Sequence, residues 1–101
     1  MKNFRTYQLA LQLYRSCEKL AVTGELRDQL QRAGLSVVLN LAEGSGKIGK
    51  DRVRFFRTAY ASLQEVKACL EVMNHPLQAE ADRIGGSLYR LMQSPGPGPA
   101  A

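Results

Sequence analysis

Gln29-Leu30-Gln31-Arg32-Ala33-Gly34-Leu35-Ser36-Val37-Val38-Leu39-Asn40-Leu41-Ala42-Glu43-Gly44-Ser45-Gly46 decides how the rest of the chain is read. Its apolar residues recur at helical spacing, and Leu26, Leu30, Ala33, Val37 and Leu41 form the main stripe of a helix over about 25–43. Leu35, Val38, Leu39 and Ala42 add apolar surface on the other sides. A helix apolar nearly all round needs burial on more than one face. In so short a chain a second copy is the natural cover, so these four residues are read as an oligomer interface. Within the apolar run stand Asn40 and Glu43, and the run stops at Gly44. A buried amide or carboxylate costs free energy unless it finds partners. Asn40, Glu43 and Gly44 are therefore read as a structural motif. Asn40 is expected to tie this helix to a neighbour, and Glu43 to accept hydrogen bonds from loop amides or an arginine.

Three more helices flank this one. The first spans about 3–22, with Phe4, Tyr7, Leu11, Tyr14 and Cys17 at intervals of three and four, widened by Leu9, Leu13 and Leu20. Thr23 is placed to cap the second helix and Gly24 to stop the first. After the glycine-rich break Gly44-Ser45-Gly46-Lys47-Ile48-Gly49-Lys50, the third helix spans about 51–73 on Val53, Phe56, Tyr60, Leu63, Val66, Leu70 and Met73. Asp51 sits near its start, where a carboxylate suits the helix dipole. Asn74-His75-Pro76 ends it, with His75 a turn residue. The fourth helix spans about 76–92 on Leu77, Ala81, Ile84, Leu88 and Leu91, and Gly85-Gly86 in its middle permits either close helix approach or a kink. No strand pattern competes. Four helices with short connections give an all-α, up-down-up-down four-helix bundle over residues 1–93. Residues 94–101 are a Pro/Gly/Ala tail with nothing to bury, expected to be disordered.

Composition sets the class. With 101 residues the chain is one domain with a modest core. No apolar run reaches the roughly 20 residues of a membrane helix, and the N-terminus lacks a signal-peptide core. The expected location is the cytoplasm, with no membrane partner. Cys17 and Cys69 lie within helical apolar patterns and are read as reduced thiols, not a disulfide or a metal pair. One histidine and no Glu-x-x-His pair leave no metal site, no cofactor and no nucleophile–base arrangement, so the chain is read as no enzyme. Gly44-Ser45-Gly46-Lys47 lacks both the spacing and the preceding strand of a phosphate loop, which excludes nucleotide hydrolysis.

Charge points elsewhere. Fourteen Lys and Arg oppose nine Asp and Glu, for a net +5. The segment 44–57 alone carries Lys47, Lys50, Arg52, Arg54 and Arg57 against Asp51. Most of the excess thus sits on one glycine-rich loop and the start of the helix after it. Such a surface suits phosphate groups, and these five cations are the candidate nucleic-acid contacts. The plain alternative is a solvated basic surface whose cations balance local acids.

The pattern Gln29-Leu30-x-Arg32-Ala33, Ser36-Val37, Asn40-Leu41-Ala42-Glu43-Gly44 resembles a signature of bacterial four-helix-bundle proteins encoded by intervening sequences in large-subunit ribosomal RNA genes. Phe55-Phe56-x-x-Ala59-x-x-Ser62-Leu63-x-Glu65 is similar to a second pattern of that family. Tyr60-Ala61 stands where the family has small residues before its serine. The accessory variability protein of diversity-generating retroelements is a distant relative of the same family. The resemblance covers about residues 4–92 and implies a four-helix bundle, a pentameric ring, and work with RNA or a reverse-transcriptase-like partner. Two readings follow. One is a non-enzymatic, oligomeric, basic accessory protein that binds RNA or DNA backbone. The other is a structural or protein-interaction bundle that binds no nucleic acid.

Overall fold

A computed structural model describes residues 4–93 as four helices: α1 (Arg5–Glu18), α2 (Gly24–Ser45), α3 (Gly49–Val72) and α4 (Gln78–Gln93). Each helix packs on its sequence neighbour, and α1 closes the ring against α4. Short connections make successive helices antiparallel, so the bundle runs up, down, up, down as the hydrophobic pattern predicts. Its long dimension is 40 Å and the other two are about half that. The 24 residues of α3, rising about 1.5 Å each, account for that length. The tail over 94–101 lies outside the described residues.

Periodicity explains the core. Phe4, Leu13 and Cys17 meet Leu30, Val37 and Leu41 of α2, Phe56, Leu63, Val66 and Leu70 of α3, and Ile84, Leu88 and Leu91 of α4, all buried. In α1 the buried stripe is rotated from the expected one. Thr6, Ala10 and Leu13 point inward, while Tyr7, Leu11 and Tyr14 are only half-buried. Tyr14 lies along α2 at Gly34, where an added Cβ would stand 3.0 Å from its Cδ1. Its ring occupies the seam between the two helices, and small Ala10 takes the inner place. α1 and α4 are linked by the hydroxyls of Thr6 and Ser87.

The helix ends depart from expectation in instructive ways. Thr23 is the residue before α2, yet its side chain makes no capping hydrogen bond. Gly24 does not stop α1; it opens α2 with φ of +68°, a conformation that costs glycine little. α1 already ends at Glu18, because the chain turns there to lay half-buried Leu20 and Val22 on the core. At the far end of α3, Asn74 adopts φ of +51°. His75 N–H then reaches Leu70 O, and Asn74 N–H reaches Glu71 O, both at 3.0 Å. Together they satisfy two carbonyls the helix end leaves open, the Schellman arrangement. His75 is a turn residue as its position implies, and its Nδ1 accepts the Leu77 N–H at 3.1 Å. α4 starts at Gln78, two residues beyond Pro76. It passes through Gly85 and Gly86 without interruption, and a Cβ on either would find ordinary contacts at 3.6 Å. Neither close approach nor a kink is needed there. No described helix is long and apolar enough to cross a membrane.

Candidate nucleic-acid interface

The loop between α2 and α3 is shorter than its glycines suggest. α2 continues through Gly44 to Ser45, leaving only Gly46, Lys47 and Ile48 outside helix, and α3 begins at Gly49 with φ of +58°. Gly44 is not a stop signal. A Cβ on it would fall 2.7 Å from Cε1 of Phe56 and 3.1 Å from Cβ of Phe55, so α2 and α3 meet there backbone against ring. This contact brings the α2–α3 hairpin together at its tip and sets the direction in which the following basic residues project.

That direction divides the five cations. Lys50 and Arg57 lie on one face of α3, two turns and about 10 Å apart, and line a surface groove with Gly49 and Val53. Among the described residues neither has a carboxylate partner. Lys47 and Arg54 gather instead around Phe55. Lys47 Nζ lies 5.9 Å and the Arg54 guanidinium carbon 4.5 Å from the ring centroid. Each of these two also meets an acid: Lys47 pairs with Glu43 at 3.5 Å, and Arg54 Nη2 donates to Asp51 Oδ1 at 2.6 Å. Both pairs are exposed, and exposed pairs hold together by only about 1 kcal/mol or less, so each cation is available for exchange to a phosphate.

Arg52 corrects the sequence reading. It is wholly buried, with its guanidinium carbon 5.3 Å from the Phe56 centroid, and burial lowers its pKa from the ordinary arginine value. Helical spacing explains this. Arg52 lies on the same face of α3 as Phe56, Ala59 and Leu63, four to eleven residues along, and that face is the core. It belongs to the packing and does not contact a ligand in solvent.

Glu43 is corrected in the opposite sense. It is exposed and pairs with Lys47, so it is not the buried carboxylate that its apolar neighbours imply. Asn40 is half-buried and bonds within its own helix, its Nδ2 donating to Ser36 O at 2.9 Å and to Ser36 Oγ at 3.2 Å. The link to α3 is made by Ser36 Oγ, 2.7 Å from Ser62 Oγ. Asn40 thus reaches its neighbouring helix through Ser36. Ser62 stands in the α3 sequence pattern noted above, but nothing in its spacing marks a partner on α2. Phe55 joins Lys47 and Arg54 at this site, and its recognisable signal in the sequence is an aromatic residue embedded in a basic segment.

The proposed interface residues on α2 separate likewise. Leu35 and Leu39 are 42% and 56% exposed, one turn apart on the outer face, with half-buried Ala42 beside them. Val38 is corrected: it is 5% exposed and belongs to the core of its own bundle. Cys17 and Cys69 are free thiols, and among the described residues no three His, Cys, Asp or Glu side chains converge as a metal site would need.

No curated protein and no solved structure matches the chain. A family model does, over residues 3–84, which takes in α1, α2, α3 and the first half of α4. That span includes the Gly44–Phe56 contact, the basic loop and the outer face of α2. The chain belongs to the 23S rRNA-intervening sequence protein family.

Proposed function

We propose that this chain is a non-enzymatic, oligomeric accessory protein of the cytoplasm that binds RNA or DNA backbone with the loop end of its α2–α3 hairpin. The observation that carries the reading is the grouping of Lys50 and Arg57 on one face, without carboxylate partners among the described residues, beside half-buried Lys47 and exposed Arg54. The N-terminus of α3, whose backbone N–H groups point toward the same end, adds to the positive field. Contacts of this kind position a backbone and read no base sequence. The family description names an intervening sequence of 23S rRNA and no ligand, and backbone contacts of this kind fit RNA and DNA alike.

Oligomerisation through Leu35, Leu39 and Ala42 would repeat the basic end around a ring, and several weak contacts would then act with avidity. A pentamer is the assembly the family resemblance suggests. A reverse-transcriptase-like partner, as for the diversity-generating retroelement protein, belongs to the same suggestion.

The test is a salt titration of binding to RNA and DNA, for the natural chain and for a variant with Lys47, Lys50 and Arg57 changed to Gln. The expected result is binding at low salt whose slope falls by about one unit per lost phosphate contact. Absence of binding at low salt, or a wild-type slope in the triple variant, overturns the reading. The protein-interaction bundle, supported by exposed Leu35 and Leu39, would then lead.

A further inference from the structure

Arg54 and Phe55 are adjacent in sequence, and adjacent side chains on a helix normally diverge by about 100°. Here the Arg54 side chain bends back so that its guanidinium lies over the next residue's ring, 4.5 Å from the centroid. Its Nη2 is held at the same time by Asp51 Oδ1. An arginine on a helix surface otherwise samples many rotamers. This one is drawn toward one placement, with a ring beneath its guanidinium carbon and a carboxylate at its edge. Its side chain remains 66% exposed, so the guanidinium is presented to solvent. Phe55 is itself anchored, since its Cβ packs against Gly44, 3.1 Å from where a Cβ on that glycine would stand. Lys47 Nζ lies near the same ring from the loop side.

Phosphate binding needs none of this. A cation meets a phosphate equally well from a mobile side chain, as Lys50 is placed to do. A planar, weakly hydrated group stacked on an aromatic ring is what an unstacked base requires. We infer, building on the nucleic-acid reading above, that the Arg54–Phe55 stack is a base-stacking platform and that the ligand class is single-stranded nucleic acid. One unpaired base lies on the guanidinium face, while Lys47, Lys50 and Arg57 take phosphates on either side. Every base has a π-face, so the platform accepts any of the four. A duplex keeps its base faces stacked on one another and offers the platform only its ends.

The experiment measures anisotropy of four labelled probes of equal length, over a series of salt concentrations. They are an adenine RNA oligomer, an adenine DNA oligomer, an abasic phosphodiester oligomer and a mixed-sequence duplex. The natural chain is expected to bind the two adenine oligomers at least about fivefold more tightly than the abasic one. Arg54→Lys keeps the charge and loses the plane. It should lose that margin, read as the ratio of adenine to abasic affinity within the same variant. Phe55→Leu, checked for its helical content, should lose the same margin. Comparing the two adenine oligomers separates RNA from DNA as the source of the base. Equal affinity for abasic and adenine oligomers, or an undiminished margin in Arg54→Lys, overturns the platform and leaves backbone binding standing. Failure of all four probes to bind at low salt overturns the nucleic-acid reading itself.

Discussion

The Cβ that Gly44 lacks would lie 2.7 Å from Cε1 of Phe56, inside the space a carbon needs. Phe56 is fully buried and cannot swing away. Gly44→Ala should therefore be destabilising, although alanine is the better helix former. Overpacking costs about 1–3 kcal/mol and helix propensity returns about 1 kcal/mol. The net loss is expected at up to about 2 kcal/mol, a drop of up to several degrees in Tm. Gly86→Ala is the contrast. It sits in α4 with room for its Cβ, and it should gain up to about 1 kcal/mol. Thermal melts of the two variants that move in the same direction would refute the assignment.

Asn40 and Glu43 are close in sequence and unlike in consequence. Glu43→Ala removes an exposed ion pair and should cost less than about 0.5 kcal/mol. It should also free Lys47 and strengthen binding to polyanions. Ser62→Ala leaves Ser36 Oγ without its partner on α3 and should cost about 1 kcal/mol. Because Asn40 bonds the same Ser36 hydroxyl, Asn40→Ala and Ser62→Ala should be non-additive in a double-mutant cycle. Additive losses in urea denaturation would show that the three side chains do not act together.

Arg52→Ala should lower stability by about 2 kcal/mol or more, through the loss of a buried side chain packed on Phe56. The salt slope of nucleic-acid binding should stay at the wild-type value. A reduced slope without a change in Tm would return Arg52 to the ligand surface.

Leu35→Glu with Leu39→Glu places two charges on the outer face of α2. Light scattering should find the natural chain as an oligomer and this variant at the monomer mass of about 11.2 kDa, with helical content kept. Val38→Glu, by contrast, should unfold the chain, because that position is in the core. A natural chain that is monomeric at micromolar concentration would refute the interface.

Burial pushes the Cys17 thiol from 9.0 up to about 11, with Cys69 adding to the effect. The folded state therefore holds this proton more tightly than the unfolded chain does. The resulting stability is fully present below about pH 9 and is lost as pH rises through about 11. Stability of the natural chain should fall over that window by about 2–3 kcal/mol more than that of Cys17→Ala. Parallel pH profiles in urea denaturation would count against it.

The periodic residues alone determined four helices, their order and the antiparallel bundle. The reason is that each apolar stripe must be buried, and short connections allow few ways to bury four. The basic character of the segment 44–57 and the turn at Asn74-His75-Pro76 were equally legible, since charge and turn chemistry are local. What the linear pattern could not supply is the rotation of each helix about its axis. Within an almost continuous apolar run, a few tens of degrees decide whether a side chain meets core or solvent. That rotation put Arg52 inside and Glu43 outside, took Val38 from the outer stripe, and replaced Tyr7 and Tyr14 with Ala10 and Leu13 at the centre of α1. Close approach is also a property of two helices and not of one. Gly44 stands as a glycine inside α2 because Phe56, twelve residues later, fills the space a Cβ would take.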